Sequence, residues 1–452
     1  MPHERFQRRI DPIVTGVSVV LLVSVVAVYG YVSFVLPGDV DVTDHGSSIY
    51  DMDIQRVVVD LTSELEGYRT SVHPLQKLFV APLGIELNSI VFGGANRLWT
   101  AKLLVGAFML LQALLVCVLA YQLTGGALPA GLAAGVISSF SFSSLLAASL
   151  PESAALASVG ATIPLIWLGA RTGRPFSGWE VVGWALIGVV CIGLTITQIV
   201  CWMIALMVRI GYEGRGGKGA GLRISPRAVR GAALSVALFL VVTWSAVQLQ
   251  SELFSGTPEF YTSNPIAGEQ PFFRLGSIGL QPIHHTLRLV AHFALFDFAA
   301  PFPGFSDFLI RDYGFDYWSL SIEEARIDQV TPLQWGLAAF VLLGVGVGCL
   351  ALRRADARFV APGLWVASQF GLHFFYGREY ILYAPHWHGV WVAMLVAACW
   401  NAWPKRRTAL LVASGVLGIA MLANNLVVLS EAYRQVEAGL GTAVRDSHGT
   451  LR

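Results

Sequence analysis

A succession of apolar runs, most of them close to the length a bilayer demands, leaves this chain few ways to fold. The runs cover 13–36, 99–121, 128–148, 153–170, 179–194, 197–210, 229–250, 332–352, 359–376, 381–402 and 408–429. A helical crossing of the hydrocarbon core takes about 20 apolar residues. Backbone N–H and C=O groups in lipid must be paired within the segment, so each run is read as a helix. The expected fold class is all-α, a polytopic membrane protein with about 11 transmembrane helices and amphipathic helices in its outer loops. Composition agrees: 55% of the 452 residues are hydrophobic and 13% charged, against about 25% charged in a soluble domain. A formal net charge of +1 offers nothing to nucleic acid; membrane lipids are the expected surroundings.

Basic residues set the direction of crossing. Arg5, Arg8 and Arg9 precede the first run, and Arg171 and Arg174 precede 179–210. Arg209, Arg215, Lys218, Arg223, Arg227 and Arg230 follow that stretch, and Arg353, Arg354, Arg358, Lys405, Arg406 and Arg407 come later. Placing all of them in the cytoplasm requires an even number of crossings within 179–210. That stretch is therefore read as a short hairpin turning at Thr195-Ile196-Thr197-Gln198, not as one long tilted helix. Residues 1–12 are then a cytoplasmic N-terminus, 13–430 a single transmembrane domain, and 431–452 a non-cytoplasmic tail. The outer loops are 37–98 and 251–331, and the cytoplasmic linker is 211–228. The first run is too long for a signal-peptide core and is followed by no small-residue cleavage site, so it is read as retained. The Gly-rich stretch 211–221 lacks the Lys-Ser/Thr pair of a phosphate loop. Cys117, Cys191, Cys201, Cys349 and Cys399 lie in apolar runs without a CxxC pair and read as small apolar fillers.

The ionisable residues of interest fall at the outer ends of these helices. In the first loop, Ile54, Val58, Leu61 and Leu65 recur at helical spacing, with Asp53, Arg56, Asp60 and Glu64 on the other side. The pattern predicts a helix lying along the membrane surface, apolar side down. Asp51 and Asp53 fall at its start, where the dipole favours negative charge. Tyr68-Arg69 and His73-Pro74-Leu75 close the loop, Pro151-Glu152-Ser153 opens a transmembrane helix, Arg378-Glu379-Tyr380 lies in a late outer turn, and His386 and His388 follow. Ionisable groups at the rim of apolar helices mark a pathway or a site. Each has a plainer alternative: helix capping for the aspartates and Glu152, an exposed turn for Arg378 and Glu379, an interfacial belt for His386 and His388. His284, His285 and His292 have the wrong spacing to place three metal ligands on one helix face. The apolar stretch 283–300 predicts an interfacial helix that either shapes a groove for a lipid tail or packs over the bundle.

These patterns, in this order and on one side, resemble the GT-C superfamily of integral membrane glycosyltransferases, in the branch of the protein mannosyltransferases and the aminoarabinose transferase. The patterns are Asp51-x-Asp53-x-x-Arg56, Tyr68-Arg69 through His73-Pro74-Leu75, Pro151-Glu152-Ser153, Leu194-Thr195-Ile196-Thr197, and the stretch from Phe375 to Tyr383. The resemblance spans about 13–400. It implies inverting transfer of a sugar from a polyprenyl-phosphate donor on the outer face of the cell membrane. A first-loop acid would be general base on an acceptor hydroxyl of a glycan, lipid or protein. Asp53 matches that role, with Asp51 second. A sugar hydroxyl needs such a proton acceptor, and a departing lipid phosphate needs cations, for which arginine is suited. Arg378 is the first candidate, with Arg69 and His73 behind it. Arg56 would orient Asp53 and Asp60. Glu152 and Glu379 would hold donor-sugar hydroxyls, with Tyr380 and His386 also contacting substrate. The mannosyltransferase Asp-Glu pair is replaced here by Asp51-Met52-Asp53. Enzymes of this kind differ in metal use, so no metal ligand is assigned and no cofactor follows. The competing readings are a lipid or solute transporter or flippase, and an assembly protein whose loops bind a partner.

Overall fold

The structure, a computed structural model, describes residues 12–37, 54–64, 72–212, 224–254, 287, 289–301, 304–310, 315–321, 331–352, 357–375 and 380–448. Over its described residues every apolar run named above is helical, apart from a break within 128–148. Helix α1 (Pro12–Gly30) ends in a π-helical turn, Tyr31–Val35. The short α2 (Ile54–Thr62) and α3 (Gln76–Phe92) lead into α4 (Arg97–Leu123), α5 (Leu128–Phe140), α6 (Phe142–Ser149) and α7 (Ala154–Arg171). Then come α8 (Gly178–Leu194), α9 (Gln198–Gly211) and α10 (Pro226–Leu253). After a π-helical turn at His292–Phe296 the chain continues into α11 (Pro332–Leu352), α12 (Ala357–Phe375), one turn at Tyr380–Tyr383, α13 (Pro385–Ala402) and α14 (Arg407–His448).

The chain is thus an all-α polytopic membrane protein, with one addition. Within the second loop, β1 (Gly304–Ile310) pairs antiparallel with β2 (Phe315–Ser321), Gly304 opposite Ser321 and Ile310 opposite Phe315. Both segments are rich in aromatics and other strand formers. Among the described residues, five spans are long and apolar enough to cross a membrane: Ser18–Val35, Arg97–Leu123, Ala154–Arg171, Pro226–Leu253 and Pro404–Ala438. The α5–α6 pair makes a sixth if counted as one crossing, and Gly178–Leu194, Gln198–Gly211 and Pro332–Gly344 are shorter apolar helices.

The run 128–148 is broken. Its two helices meet at a 60° bend, where Ser141 takes an extended backbone. Unpaired backbone at such a break is costly away from water, and here it is paired from elsewhere in the chain. Phe142 N donates to Phe298 O at 3.0 Å and Ser143 N to Asp297 O at 3.1 Å. On the other side of the break, Asn425 Nδ2 donates to Phe140 O at 2.9 Å and to Phe298 O at 2.7 Å. Segment 297–298 therefore plugs the break, and α14 holds the plug.

Two expectations are corrected. Helix α2 does not lie with its apolar side on lipid: it packs against α3 and α4. Ile54, Val57, Val58 and Leu61 are buried in protein, and so is Asp60, which the spacing had put on a solvated face. Gly84 permits the approach, since any Cβ there would run into the Leu61 carbonyl. The second correction concerns Arg209, read from the sequence as a cytoplasmic loop cation. It is fully buried, its Nε 2.6 Å from Glu180 Oε1. Its Nη2 lies 3.2 Å from Glu180 Oε2 and donates to Arg174 O at 2.7 Å. The α8–α9 hairpin is as expected, and this ion pair clasps its open end.

Candidate functional site

The closing turn of the first loop docks on the α8–α9 turn. Leu75 N donates to Gly193 O at 3.0 Å, and Ile196 N donates to Val72 O at 2.9 Å, so residues 72–75 dock backbone to backbone on the α8–α9 turn. Gly193 is required by this fit, because a Cβ there would strike Phe79 and Leu75. Gln250 near the end of α10 joins them: its Nε2 donates to Pro74 O at 2.8 Å, and its Oε1 accepts from Leu78 N at 3.0 Å. At the same end of the bundle Ser33, after α1, donates to Ala148 O at 2.6 Å, beside the start of α7.

His73 is held by this docking. Its Nδ1 lies 2.8 Å from Leu194 O and 3.0 Å from Thr195 Oγ1. A carbonyl oxygen only accepts, so a ring proton sits on Nδ1. Two of the sequence patterns, His73-Pro74-Leu75 and Leu194-Thr195-Ile196-Thr197, are thus one structural unit.

Glu152 is buried, and its Oε1 accepts from Ser153 N at 2.8 Å and Ser153 Oγ at 2.7 Å. These bonds hold the carboxylate at the start of α7, whose N-cap residue Ser153 makes no side-chain cap hydrogen bond. Arg56 Nε lies 4.0 Å from Asp60 Oδ2, one turn along α2. Tyr380 is fully buried, its ring 5.2 Å from that of His292. His386 is buried too, its carbonyl accepting from Trp365 Nε1 at 3.1 Å. Asp51, Asp53, Arg69, Arg378 and Glu379 lie outside the described residues, as do His284 and His285. Among the described residues no group of three or more His, Cys, Asp or Glu could hold a metal ion.

Two charged residues belong to this region that the sequence reading passed over. Lys77, in the first turn of α3, is buried and donates to Val59 O at 3.3 Å near the end of α2. Burial lowers its pKa, and the nearby Asp60 partly offsets that. Its signal was a lone cation four residues beyond His73 in an otherwise apolar run. Asp297 is fully buried, with Oδ2 accepting from Trp387 Nε1 at 2.9 Å and Oδ1 3.7 Å from His292 Nδ1. Burial raises its carboxyl pKa, with His292 and Trp387 working the other way. A single acid inside an apolar, aromatic stretch was the signal there.

The segment that leads into Asp297 borders an apolar cavity of about 480 Å³. The stretch predicted to shape a groove contributes Val290, Phe293 and Ala294; Leu342, Phe359, Val366, Phe370, Trp391 and Met394 of α11, α12 and α13 complete the walls.

No protein-family model matches the chain, and no curated protein does. Among solved structures it is similar to the Archaeoglobus fulgidus oligosaccharyltransferase, crystallised tethered through a disulfide to an acceptor peptide with the NVT sequon. The TM-score is 0.47 and the identity 12%, over 92% of this chain and 55% of that one. The chain thus spans about half the length of that enzyme, and no residue role is taken from it.

Proposed function

We propose that this protein is a membrane glycosyltransferase that moves a sugar from a polyprenyl-phosphate donor to a hydroxyl acceptor at the non-cytoplasmic rim of the cell membrane. The observation that carries the reading is the apolar cavity of about 480 Å³, walled by Phe293, whose neighbour His292 packs on Tyr380. A lipid tail fits the cavity by its chemistry, and the Arg378-Glu379 pair directly precedes Tyr380 in sequence. In this reading Arg378, with Arg69 and His73, meets the phosphate. Asp53 takes the acceptor proton, with Asp51 as second choice, and Arg56 orients the acid. Glu152 and Glu379 hold sugar hydroxyls, near Tyr380 and His386. The acceptor is a glycan, lipid or protein. Base and leaving group on opposite faces of the sugar give inversion, by analogy with inverting glycoside hydrolysis.

The test is Asp53→Asn. Membranes bearing this variant should insert and fold as the wild type does, yet transfer no sugar from the cellular polyprenyl-phosphate pool to envelope glycans, read by mass spectrometry. Undiminished transfer removes Asp53 from the mechanism.

A second reading, a lipid or solute transporter, draws support from the broken α5–α6 span with Asp297 and His292 buried beside it, since broken helices and ionisable groups within the bundle line transport paths. Reconstituted protein that moves prenyl phosphate across a vesicle and transfers no sugar would favour it.

A further inference from the structure

Phe293 and Trp387 link the cavity to the buried acid. Phe293 lines the cavity with one face and stacks on Trp387 with the other, ring centroids 4.4 Å apart and planes 6° from parallel. Its backbone is held as well, because Trp391 Nε1 donates to Phe293 O at 3.2 Å. Trp387 donates to Asp297 Oδ2 at 2.9 Å. Across the carboxylate, Oδ1 faces His292 Nδ1 at 3.7 Å, and the His292 ring meets Tyr380 edge-on at 5.2 Å. Every member of this chain is buried. Close-packed interiors transmit displacement instead of absorbing it, so a group that presses on Phe293 is mechanically joined to Tyr380.

Resting on the proposed function, we infer that His292, Asp297 and Trp387 are positioning residues that couple a lipid tail in the cavity to the placement of Tyr380, two residues from the cation proposed for the donor phosphate. None of the three touches the phosphate. A long chain fills the cavity, fixes Phe293 and, through Trp387, Asp297 and His292, fixes Tyr380. Binding energy from the remote, unreactive tail is thereby used where the headgroup is held. The protein selects prenyl phosphates as a unit, not tail and phosphate separately.

The experiment uses the full-length protein in detergent with two probes, farnesyl phosphate and farnesol, which share a tail and differ in the phosphate. Trp387→Phe keeps the aromatic stack and deletes the indole N–H; His292→Phe keeps a ring against Tyr380 and deletes the imidazole. Trp387→Phe should weaken farnesyl phosphate about tenfold, the scale of one lost buried hydrogen bond; His292→Phe, which removes the 3.7 Å charged contact with Asp297, should weaken it in the same direction; both should leave farnesol within about twofold. Phe293→Ala, at the cavity wall, should weaken both probes. Equal losses for the two probes in Trp387→Phe and His292→Phe, or no loss in either, overturn the coupling. So does failure of both variants to fold, which makes the cluster a packing core and nothing more. A wild-type protein that binds farnesyl phosphate no better than farnesol is a different result: it sinks the donor assignment itself, and the inference with it.

Discussion

Replacing Arg209 with methionine removes one half of an ion pair whose members are 0% and 1% exposed. At 2.6 Å and an effective dielectric of about 20, the Coulomb attraction is roughly 6 kcal/mol. Desolvating the two ions costs several kcal/mol each, so the intact pair is near balance against an apolar substitute. The single variant is not near balance. It leaves the Glu180 carboxylate buried with Trp184 Nε1 at 3.3 Å as its remaining side-chain donor, and it leaves Arg174 O without the guanidinium. Arg209→Met should therefore destabilise the folded protein by about 3–5 kcal/mol. The double variant Glu180→Leu with Arg209→Met should recover most of that loss, to within about 2 kcal/mol of the wild type. Equilibrium unfolding in mixed micelles measures all four members of the cycle. A loss below about 1 kcal/mol for Arg209→Met would mean that water reaches the pair. Strict additivity in the double variant would show that the two side chains are not coupled. Either result refutes the picture of a clasp across the base of the α8–α9 hairpin.

Gly84→Ala drives a methyl into the Leu61 carbonyl and should cost about 1–3 kcal/mol, read in the same unfolding assay; unchanged stability would mean that α2 and α3 are not in close contact. Asp297 has a raised carboxyl pKa through burial. Its contribution to stability is fully present below the unfolded-state pKa and is lost as pH rises through the higher folded-state value. Asp297→Asn should flatten that limb of the stability–pH curve, and an identical limb in the variant would rule out Asp297 as its source. Cysteine introduced at Ser47 or Ser263 should react with an impermeant thiol reagent added outside intact cells; protection of either site breaks the proposed sidedness.

Helix positions were readable because lipid permits one solution to the backbone pairing problem, and each apolar run obeys it. The α8–α9 hairpin was readable from charge at both its ends, although one of the charges used, Arg209, proved to be buried. That error has a physical cause: sequence reports that a cation stands at a helix end, not whether Glu180, 29 positions earlier, folds back to meet it. The burial of α2 was hidden for a similar reason. An amphipathic helix beside a membrane satisfies its apolar face equally well with lipid or with protein, and Gly84 decides between them from outside the helix. The break at Ser141 carries no proline or glycine, and its neighbours Phe140 and Phe142 suit a helix. What makes it tolerable is the hydrogen bonding of Phe298, Asp297 and Asn425, far along the chain.

That break bears on the choice between enzyme and transporter. Ionisable residues sit both at the rim, where a lipid phosphate would be met, and inside the bundle, where Asp297 and His292 stand next to the plugged helix break. A conducting path needs its ionisable groups to face water or one another across a gap that opens. Asp297 faces His292 with one oxygen, but its other oxygen is bonded to Trp387 and its backbone carbonyl is consumed in capping Ser143. Opening a path there would break the Trp387 bond, the caps on α6 and the Asn425 contacts together. A group wired in this way is built to hold position. At the rim, His73 Nδ1 is held by Leu194 and Thr195 of the docked turn. A rigid interior of this kind suits the proposed transferase, since its substrates must be held still while one bond forms and another breaks.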